Sequence, residues 1–182
     1  MEDYARVIDY LPQGHPEGPR HRREAVAYGL GEDEFKLFEL VPGEGTEMVI
    51  GERLYIGKDL DLREKVQHVK RRIGYEELTV AAQNELPFVL EEIVEEQQER
   101  YLRFYNEAQA ITTRFHMLEL IPGLGKKTMS GILEERKAGP FTSFEDLSTR
   151  VPSLHHPARL LAKRIEMELA DPAQKYHMFV SR

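Results

Sequence analysis

The chain contains no cysteine among its 182 residues. It therefore cannot form disulfides, hold an iron–sulfur cluster or zinc ribbon through thiolates, or use a cysteine nucleophile. No apolar run approaches the roughly 20 residues needed to span a bilayer. The first residues, MEDYARVIDYLP, also lack the charged-then-apolar pattern of an export signal. We therefore expect a cytoplasmic protein with no membrane partner.

Positive charge is also scarce, because 25 Lys and Arg stand against 32 Asp and Glu and give a formal net charge of −7. Nucleic-acid binding normally depends on positive charge, so this balance argues at first against such a partner. The excess is local, however. Residues 76–107 hold 2 basic and 9 acidic residues, whereas residues 1–75 carry −3 and residues 108–182 carry +3. The global charge therefore does not exclude nucleic acid.

The first 75 residues predict a small β-barrel. Short segments rich in β-forming residues are separated there by glycine and proline. The predicted strands are 4–11, 25–30, 34–41, 47–50, 53–56 and 65–73. Their periodicity does not distinguish an oligonucleotide-binding (OB) barrel from an SH3-like one.

Residues 76–110 predict an acidic helical bridge. Pro87 suits the first turn of a long helix, and apolar residues recur from there to about Ala110 at helical spacing. Five glutamates fall largely outside this stripe: Glu91, Glu92, Glu95, Glu96 and Glu99. They form either a solvated helix face or an acidic surface that binds a protein partner.

Residues 118–136, LELIPGLGKKTMSGILEER, predict a short helix, a tight turn and a second helix. Gly123 can adopt a positive φ angle and lets another backbone approach closely. Gly125 precedes the second helix, whose first N–H groups are free to bind an anion. Lys126 and Lys127 add positive charge beside those groups. The alternative is a hairpin that only packs.

This segment resembles the helix-hairpin-helix motif in its apolar–Pro–Gly–apolar–Gly–Lys–Lys–Thr form. The resemblance implies sequence-independent binding of a nucleic-acid backbone, with the amides of Gly123, Gly125 and Lys126 or Lys127 facing a phosphate. No cofactor is expected apart from a monovalent cation, which some members of the family hold through hairpin carbonyls. The corresponding residues here are Glu119, Ile121 and Leu124.

A second, degenerate copy follows 30 residues later. The segment 151–155, VPSLH, keeps the apolar–Pro–X–Leu frame but has Ser153 and His155 in place of the two glycines. Paired helix-hairpin-helix domains often carry one degenerate copy. The resemblance therefore implies an all-α tandem domain over residues 111–182, in which the second hairpin is structural.

Two basic stretches in the first domain are further candidates for nucleic-acid binding. Arg22 and Arg23 end the first loop, and Lys70 and Arg72 share one face of the last predicted strand. On a barrel either stretch could track a nucleic-acid backbone, or be only solvated surface.

The whole layout resembles an uncharacterised archaeal family, domain-of-unknown-function family 655, in which a small OB-related barrel precedes a helix-hairpin-helix domain. The resemblance implies an RNA-binding protein and no reaction. We therefore predict an α+β fold with an OB-like barrel over residues 1–75, an acidic bridge over 76–110 and a tandem helix-hairpin-helix domain over 111–182. The predicted function is non-enzymatic nucleic-acid binding, with RNA ahead of DNA.

Two alternatives stay open. One is a protein-interaction adaptor whose hairpins only pack and whose acidic helix binds a basic partner. The other is a DNA-repair glycosylase or lyase, because the hairpin also resembles that of base-excision glycosylases, in which the position of Lys127 is the nucleophile and a catalytic aspartate falls near Glu145 and Asp146. A β-rich segment occupies the place of the helices that such an enzyme needs. Other catalytic motifs are absent, so no catalytic residue is predicted.

Overall fold

The structure, a computed structural model, describes residues 1–181 apart from the side chain of Arg22. It has a mixed α+β fold, with a curled five-stranded antiparallel half-barrel sheet and five α-helices in this described part. Two compact units are present. The first contains Met1–Val89 and residues 168–181, and the second contains Leu90–Met167. The three-part division into 1–75, 76–110 and 111–182 stays a prediction.

Five strands form the sheet of the first unit: β1 (Tyr4–Leu11), β2 (Val26–Gly31), β3 (Leu37–Pro42), β4 (Arg53–Tyr55) and β5 (Val66–Ile73). Their order is β4-β1-β2-β3-β5, and all neighbours are antiparallel. Five of the six predicted strands are confirmed to within a few residues, which is the usual uncertainty of element boundaries.

A hydrophobic core lies within the half-barrel, and every strand of the sheet contributes to it. Its buried members are Ala5, Val7, Ala27, Leu40, Met48, Leu54, Ile56 and Val66. The register shifts between Val7 and Asp9 in β1 and at two places in the pairing of β3 with β5, where the extra residues lie on β5. Such bulges bend a strand and increase its twist, so they help to curl the sheet around this core.

No strand forms at residues 47–50, and the prediction of one there is wrong. The chain turns instead, because the N–H of Glu52 donates to the carbonyl of Val49 at 3.0 Å and the N–H of Val49 donates to the Glu52 carboxylate at 3.1 Å. Gly51 has a φ of +85°, which only glycine adopts at low cost. Met48 is part of the core. Met48 therefore anchors this turn in the core, whereas Val49 and Ile50 are exposed.

The predicted acidic helix is two helices, α1 (Val80–Glu96) and α2 (Gln98–Glu107). The hydroxyl of Thr79 accepts the N–H of Ala82 at 3.0 Å and caps the start of α1. Pro87 consequently lies inside the helix and not in its first turn. The helix is interrupted at Gln97, whose φ of −104° and ψ of 31° are not helical. The prediction of one unbroken helix from Pro87 to Ala110 is therefore wrong.

The rest of the second unit holds a short ribbon and the hairpins. The ribbon pairs β6 (Ala110–Thr112) with β7 (Phe115–His116), so the segment predicted to be all-α also contains strands. A single 3₁₀ turn, Met117–Leu120, replaces the predicted first hairpin helix. The remaining helices are α3 (Lys126–Glu135), α4 (Phe144–Arg150) and α5 (Pro157–Ala170). The predicted start of α3 at Lys126 is confirmed.

The described chain ends in a segment without helix or strand that one carboxylate orders. Glu168 is 1% exposed, and its carboxylate accepts the N–H groups of Met178, Phe179 and Val180 at 2.9–3.0 Å. These three hydrogen bonds compensate the burial of the charge. Among the described residues, none of the helices has both the length and the apolar character of a membrane span.

Candidate nucleic-acid interface

The first hairpin, residues 121–127, connects the 3₁₀ turn to α3. The N–H of Leu124 donates to the carbonyl of Ile121 at 3.2 Å and closes the turn, and both side chains are buried. Gly123 has a φ of +85°, and a Cβ there would lie 3.3 Å from Cδ2 of Leu160 in α5. Backbone conformation and close packing therefore both favour glycine at this position.

The start of α3 is exposed, and no side chain of the described residues caps it. Gly125 is the N-cap residue, and nothing lies within 4 Å of where its Cβ would be. The first intrahelical hydrogen bond runs from the N–H of Met129 to the Gly125 carbonyl at 2.9 Å. The N–H groups of the three preceding residues consequently have no partner within the helix. They provide the positive end of the helix dipole.

Two lysines stand at this helix start. The side chains of Lys126 and Lys127 are exposed, and within the described residues neither has a recorded hydrogen bond or ion pair. Amide donors, the helix dipole and two ammonium groups thus occur at one accessible end of α3. This is the combination that binds phosphate groups in proteins.

The second hairpin, residues 151–157, has the same turn as the first, but different residues connect it to the helix that follows. The N–H of Leu154 donates to the carbonyl of Val151 at 2.9 Å, and both side chains are buried. His156 follows with a φ of +52°, an uncommon conformation for a residue other than glycine. Helix α5 then begins at Pro157, which has no N–H. Fewer donors are therefore available here than at α3.

The two hairpins contact each other's helices. Gly123 of the first hairpin approaches Leu160 of α5, which follows the second hairpin. Conversely, the Thr128 hydroxyl of α3 is 3.0 Å from the Ser153 hydroxyl of the second hairpin, within hydrogen-bonding distance. A Cβ on Gly131 of α3 would lie 3.2 Å from Val151. The contacts are reciprocal, as expected for a structural repeat.

The basic residues predicted to bind nucleic acid in the first unit differ in their contacts and exposure. Arg23 and Lys70, which come from separate stretches of sequence, line one hollow of about 130 Å³. The guanidinium of Arg23 donates to the carbonyl of Gly18 at 2.9 Å and also to the carbonyl of Pro16, so it fastens its own loop. Lys70 is exposed. The side chain of Arg22 lies outside the described residues.

A β-bulge separates Lys70 from Arg72. Arg71 pairs with Glu39 and Val69 pairs with Leu40, so Lys70 is the extra residue on β5. The strict alternation that predicted one shared face does not hold across a bulge. Lys70 and Arg72 in fact line different hollows.

A polar network that the sequence did not indicate lies beside Arg71. The buried carboxylate of Glu39 is 2.8 Å from Nε of Arg71 and 3.3 Å from Nε2 of His15. The Tyr28 hydroxyl is 3.4 Å from the same His15 nitrogen. Burial, and after it the negative charges of Glu39 and Asp9, raise the pKa of Tyr28 to about 12. At neutral pH the phenol stays protonated, and at 1% exposure it cannot stack on a base.

Comparison with known proteins places this chain in a family. The model of a family described as a protein of unknown function (DUF655) matches residues 1–181. The chain belongs to the DUF655 family. An uncharacterized protein of Methanocaldococcus jannaschii, MJ0038, is 47% identical over 181 residues, which are 99% of this chain and 80% of that protein. The DUF655 family predicted from the layout is thereby confirmed.

A solved structure supports the same assignment. The crystal structure of Af1531 from Archaeoglobus fulgidus, titled as a DUF655 family model, matches with a TM-score of 0.92 and 46% identity. The match covers 99% of this chain and 100% of that chain. Both DUF655 relatives come from archaea, in agreement with the archaeal family that the sequence resembles. The family description states no activity, so a function for this DUF655 protein rests on the geometry of the interface.

Proposed function

We propose that this protein binds nucleic acid, RNA ahead of DNA, through the phosphate backbone and without catalysing a reaction. The observation that carries the proposal is the exposed start of α3, where Gly125 is followed by two exposed lysines. In the part of the chain that the structure describes, no side chain caps this helix start and no ion pair is recorded for either lysine. A helix start of this kind attracts anions, and the segment resembles a motif that binds nucleic-acid backbones.

In this proposal a backbone phosphate lies at the N-terminus of α3. Its oxygens accept hydrogen bonds from the amides of Gly125, Lys126 and Lys127, while the two ammonium groups neutralise that phosphate and its neighbours. None of these groups reads a base edge, so the contacts position the strand without selecting its sequence. The Ile121 carbonyl oxygen accepts the N–H of Leu124 with one lone pair and has a second one free. It can therefore still coordinate a monovalent cation together with the carbonyls of Glu119 and Leu124.

We further propose that the two hairpins form a tandem helix-hairpin-helix domain and that the half-barrel is OB-like. The same closing hydrogen bond in both turns, their spacing of 30 residues and the reciprocal contacts support the tandem arrangement. Pro157 supports a structural role for the second hairpin, because it removes one amide donor. The exposed side chains of Lys70 and Arg72 would add positive charge on the barrel.

A second candidate function, a protein-interaction adaptor, is favoured by the acidic face of α1 and α2. Glu92, Glu95 and Glu99 are exposed, whereas Glu91 is half-buried and pairs with Arg159 at 3.2 Å. Such an acidic face can bind a basic protein partner, and it can equally be a solvated surface.

The lyase alternative draws little support from Asp146. The Asp146 carboxylate accepts the N–H of Thr142 at 3.1 Å and pairs with Arg150 at 3.3 Å. The hydrogen bond from Thr142, and after it the charge of Arg150, hold the pKa of Asp146 below its usual range. Asp146 is thus engaged at the start of α4.

The double variant Lys126→Ala/Lys127→Ala tests the leading proposal, with Lys163→Ala as its control because Lys163 is exposed on α5 and has no recorded ion pair in the described chain. Binding of labelled single-stranded RNA and DNA is measured by fluorescence anisotropy between about 50 and 200 mM salt. Each lost phosphate contact lowers the slope of log K against log salt by about 1. We expect the double variant to bind about tenfold or more weakly, which is about 1.4 kcal/mol, and the control to match the wild type.

Three results would contradict the proposal. A folded double variant with unchanged affinity and salt slope would show that the hairpin does not contact phosphate. A wild-type protein that binds neither RNA nor DNA at low salt would leave the adaptor function as the better explanation. Borohydride trapping of Lys127 on an abasic strand would instead establish the lyase.

A further inference from the structure

The hollow of about 130 Å³ in the first unit brings together basic side chains from separate parts of the chain. His15 and Arg23 come from the loop between β1 and β2, and Lys70 comes from β5. One water molecule occupies about 30 Å³ in the liquid, so the hollow has room for about four. A group as small as a phosphate fits such a volume, whereas a nucleoside does not.

Arg23 is fixed at this hollow by its own loop. Its Nε donates to the carbonyl of Gly18 at 2.9 Å, and its Nη2 donates to the carbonyl of Pro16. A guanidinium carries five N–H groups, so these two hydrogen bonds leave donors for a ligand. The loop thus holds the charge in place before any ligand arrives.

Lys70 is directed by the bulge in β5. It is the extra residue between Val69 and Arg71, which pair with Leu40 and Glu39 of β3. A bulge of this kind changes the direction of a side chain and is common beside functional sites. Lys70 is exposed, and within the described chain no hydrogen bond or ion pair is recorded for it. Its ammonium group is therefore available at the hollow.

His15 is oriented by a buried carboxylate. Nε2 of His15 is 3.3 Å from the carboxylate of Glu39, which is 3% exposed and paired with Arg71 at 2.8 Å. Because a carboxylate only accepts, Nε2 carries the hydrogen, and protonation of the ring adds the second hydrogen at Nδ1. The His15 side chain is 43% exposed, so a ligand can reach it. An imidazolium here can donate to Glu39 through Nε2 and to an anion through Nδ1.

We propose that this hollow binds one phosphate group, held by Arg23, Lys70 and the protonated ring of His15. Donors from three positions suit the oxygens of a tetrahedral phosphate, whereas a carboxylate offers two oxygens in one plane. A phosphodiester of an RNA backbone and a free phosphate ion share this chemistry. The first of these rests on the proposed function and would give the RNA a contact on the half-barrel in addition to the start of α3.

The charges around His15 set the sign of a pH dependence. The groups that face the ring are Glu39 and Tyr28 at Nε2, Arg71 beside Glu39, and Arg23, Glu24 and Lys70 around the hollow. The cations oppose protonation of the ring, and the carboxylates favour it. A bound phosphate adds negative charge beside the ring and so favours the protonated form. By reciprocity the protonated ring favours phosphate, so affinity should fall as the pH rises.

Titration of the whole protein with two small anions tests the site. The probes are dimethyl phosphate, whose single charge is the same at pH 6 and pH 8, and inorganic phosphate, each compared with chloride at equal ionic strength. Amide chemical shifts in NMR spectra report binding residue by residue. We expect saturable shifts at Arg23, Ala25 and Lys70, with dimethyl phosphate bound more tightly at pH 6 than at pH 8.

Three variants separate the contributions. Lys70→Gln should weaken both anions by about fivefold, because it removes one charge-assisted contact. Lys58→Gln is the matched control, because Lys58 is also exposed in the first unit and the described chain records no ion pair for it. His15→Gln should remove the difference between the two pH values for dimethyl phosphate. Arg23 is left unchanged because it also fastens its loop, and thermal unfolding checks that each variant folds.

The same spectra distinguish this proposal from the hairpin proposal, since shifts at Lys126 and Lys127 report the start of α3 separately. Shifts at the hollow without any at α3 would overturn the hairpin site alone. Absence of saturable shifts at the hollow, or affinities that Lys70→Gln does not change, would overturn the phosphate site whatever α3 does. Equal affinity of dimethyl phosphate at both pH values would overturn protonated His15 as a donor.

Single-stranded RNA distinguishes the two sources of the phosphate. If the hollow holds the RNA backbone, Lys70→Gln lowers RNA affinity and reduces the slope of log K against log salt by about 1, while Lys58→Gln changes neither. If RNA binding is the same in Lys70→Gln and the wild type although inorganic phosphate still binds at the hollow, the site belongs to free phosphate.

Discussion

The two hairpins of the second unit share a turn and differ in the residues that follow it. The N–H of Leu124 closes the first turn on Ile121, and the N–H of Leu154 closes the second on Val151. The first then enters its helix through Gly125 with free amides, whereas the second enters through a strained histidine and a proline. The turn is therefore a packing device, and the residues after it decide whether a helix start can hold an anion.

The largest expected effect tests whether the turns are equivalent in packing. Leu154 is 2% exposed and Leu124 is 9% exposed. Leu154→Ala and Leu124→Ala should each lower the free energy of unfolding by about 3 kcal/mol, because each removes buried methyl groups and leaves a cavity. Urea denaturation of both variants measures this. A large loss in one hairpin and almost none in the other would break the equivalence.

A smaller effect separates the hairpins by backbone conformation. Gly123→Ala should cost about 1–2 kcal/mol, because alanine is strained at a φ of +85°, and its Cβ would also press on Leu160. His156→Gly relieves a φ of +52°, but glycine gains entropy in the unfolded chain, so stability should change by less than about 1 kcal/mol. Thermal unfolding of both variants measures these changes in stability. Equal destabilisation would mean that both turns depend on their positive-φ residue in the same way.

The smallest effect concerns acid sensitivity. Nδ1 of His116 accepts the N–H of Leu118 at 3.0 Å in the 3₁₀ turn before the first hairpin. Burial, and after it the charge of Arg136, lower the pKa of His116. The folded state thus favours the neutral ring, so its stabilisation is complete above the ordinary pKa of about 6.5 and is lost as the pH falls below that value.

The corresponding cap before the second hairpin does not titrate in this range, because the hydroxyl of Ser143 accepts the N–H of Asp146 at 2.9 Å. Hydrogen exchange at pH 5.5 and 7.5, corrected for intrinsic rates, should therefore show loss of protection at Leu124 but not at Leu154. His116→Asn should remove the difference between the two pH values. Equal loss of protection in both hairpins would assign the effect to global unfolding instead.

Local signals explain why much of the fold was predictable. Glycine and proline separate the β-forming segments, and Gly125 marks the start of α3, so both features are encoded within a few residues. The errors fall where distant contacts compete with local preference. Pro87 lies inside α1 because Thr79 caps the helix earlier than the proline suggests. Met48 belongs to the half-barrel core although its neighbours have strand-like composition.

The candidate site also contains residues that a local motif places and residues that distant contacts place. Gly123, Gly125, Lys126 and Lys127 are adjacent in sequence, so their placement at one turn followed from the motif. The engagement of Arg23 depends on the path of its whole loop, and the bulge at Lys70 depends on the register with β3. The network of Glu39 with His15, Tyr28 and Arg71 is assembled from four segments far apart in the chain, and no periodicity of the sequence relates them.

The carboxylate of Glu168 has a consequence for the kinetics of opening. It belongs to the last turn of α5 and accepts three successive amides of the C-terminal segment. The hydrogens of those amides should exchange with solvent only when the last turn of α5 opens and their hydrogen bonds to Glu168 break. This protection is expected although the segment has no secondary structure of its own. One side chain thus joins a helix terminus and a coil into a single cooperative unit, which should open and close as a whole.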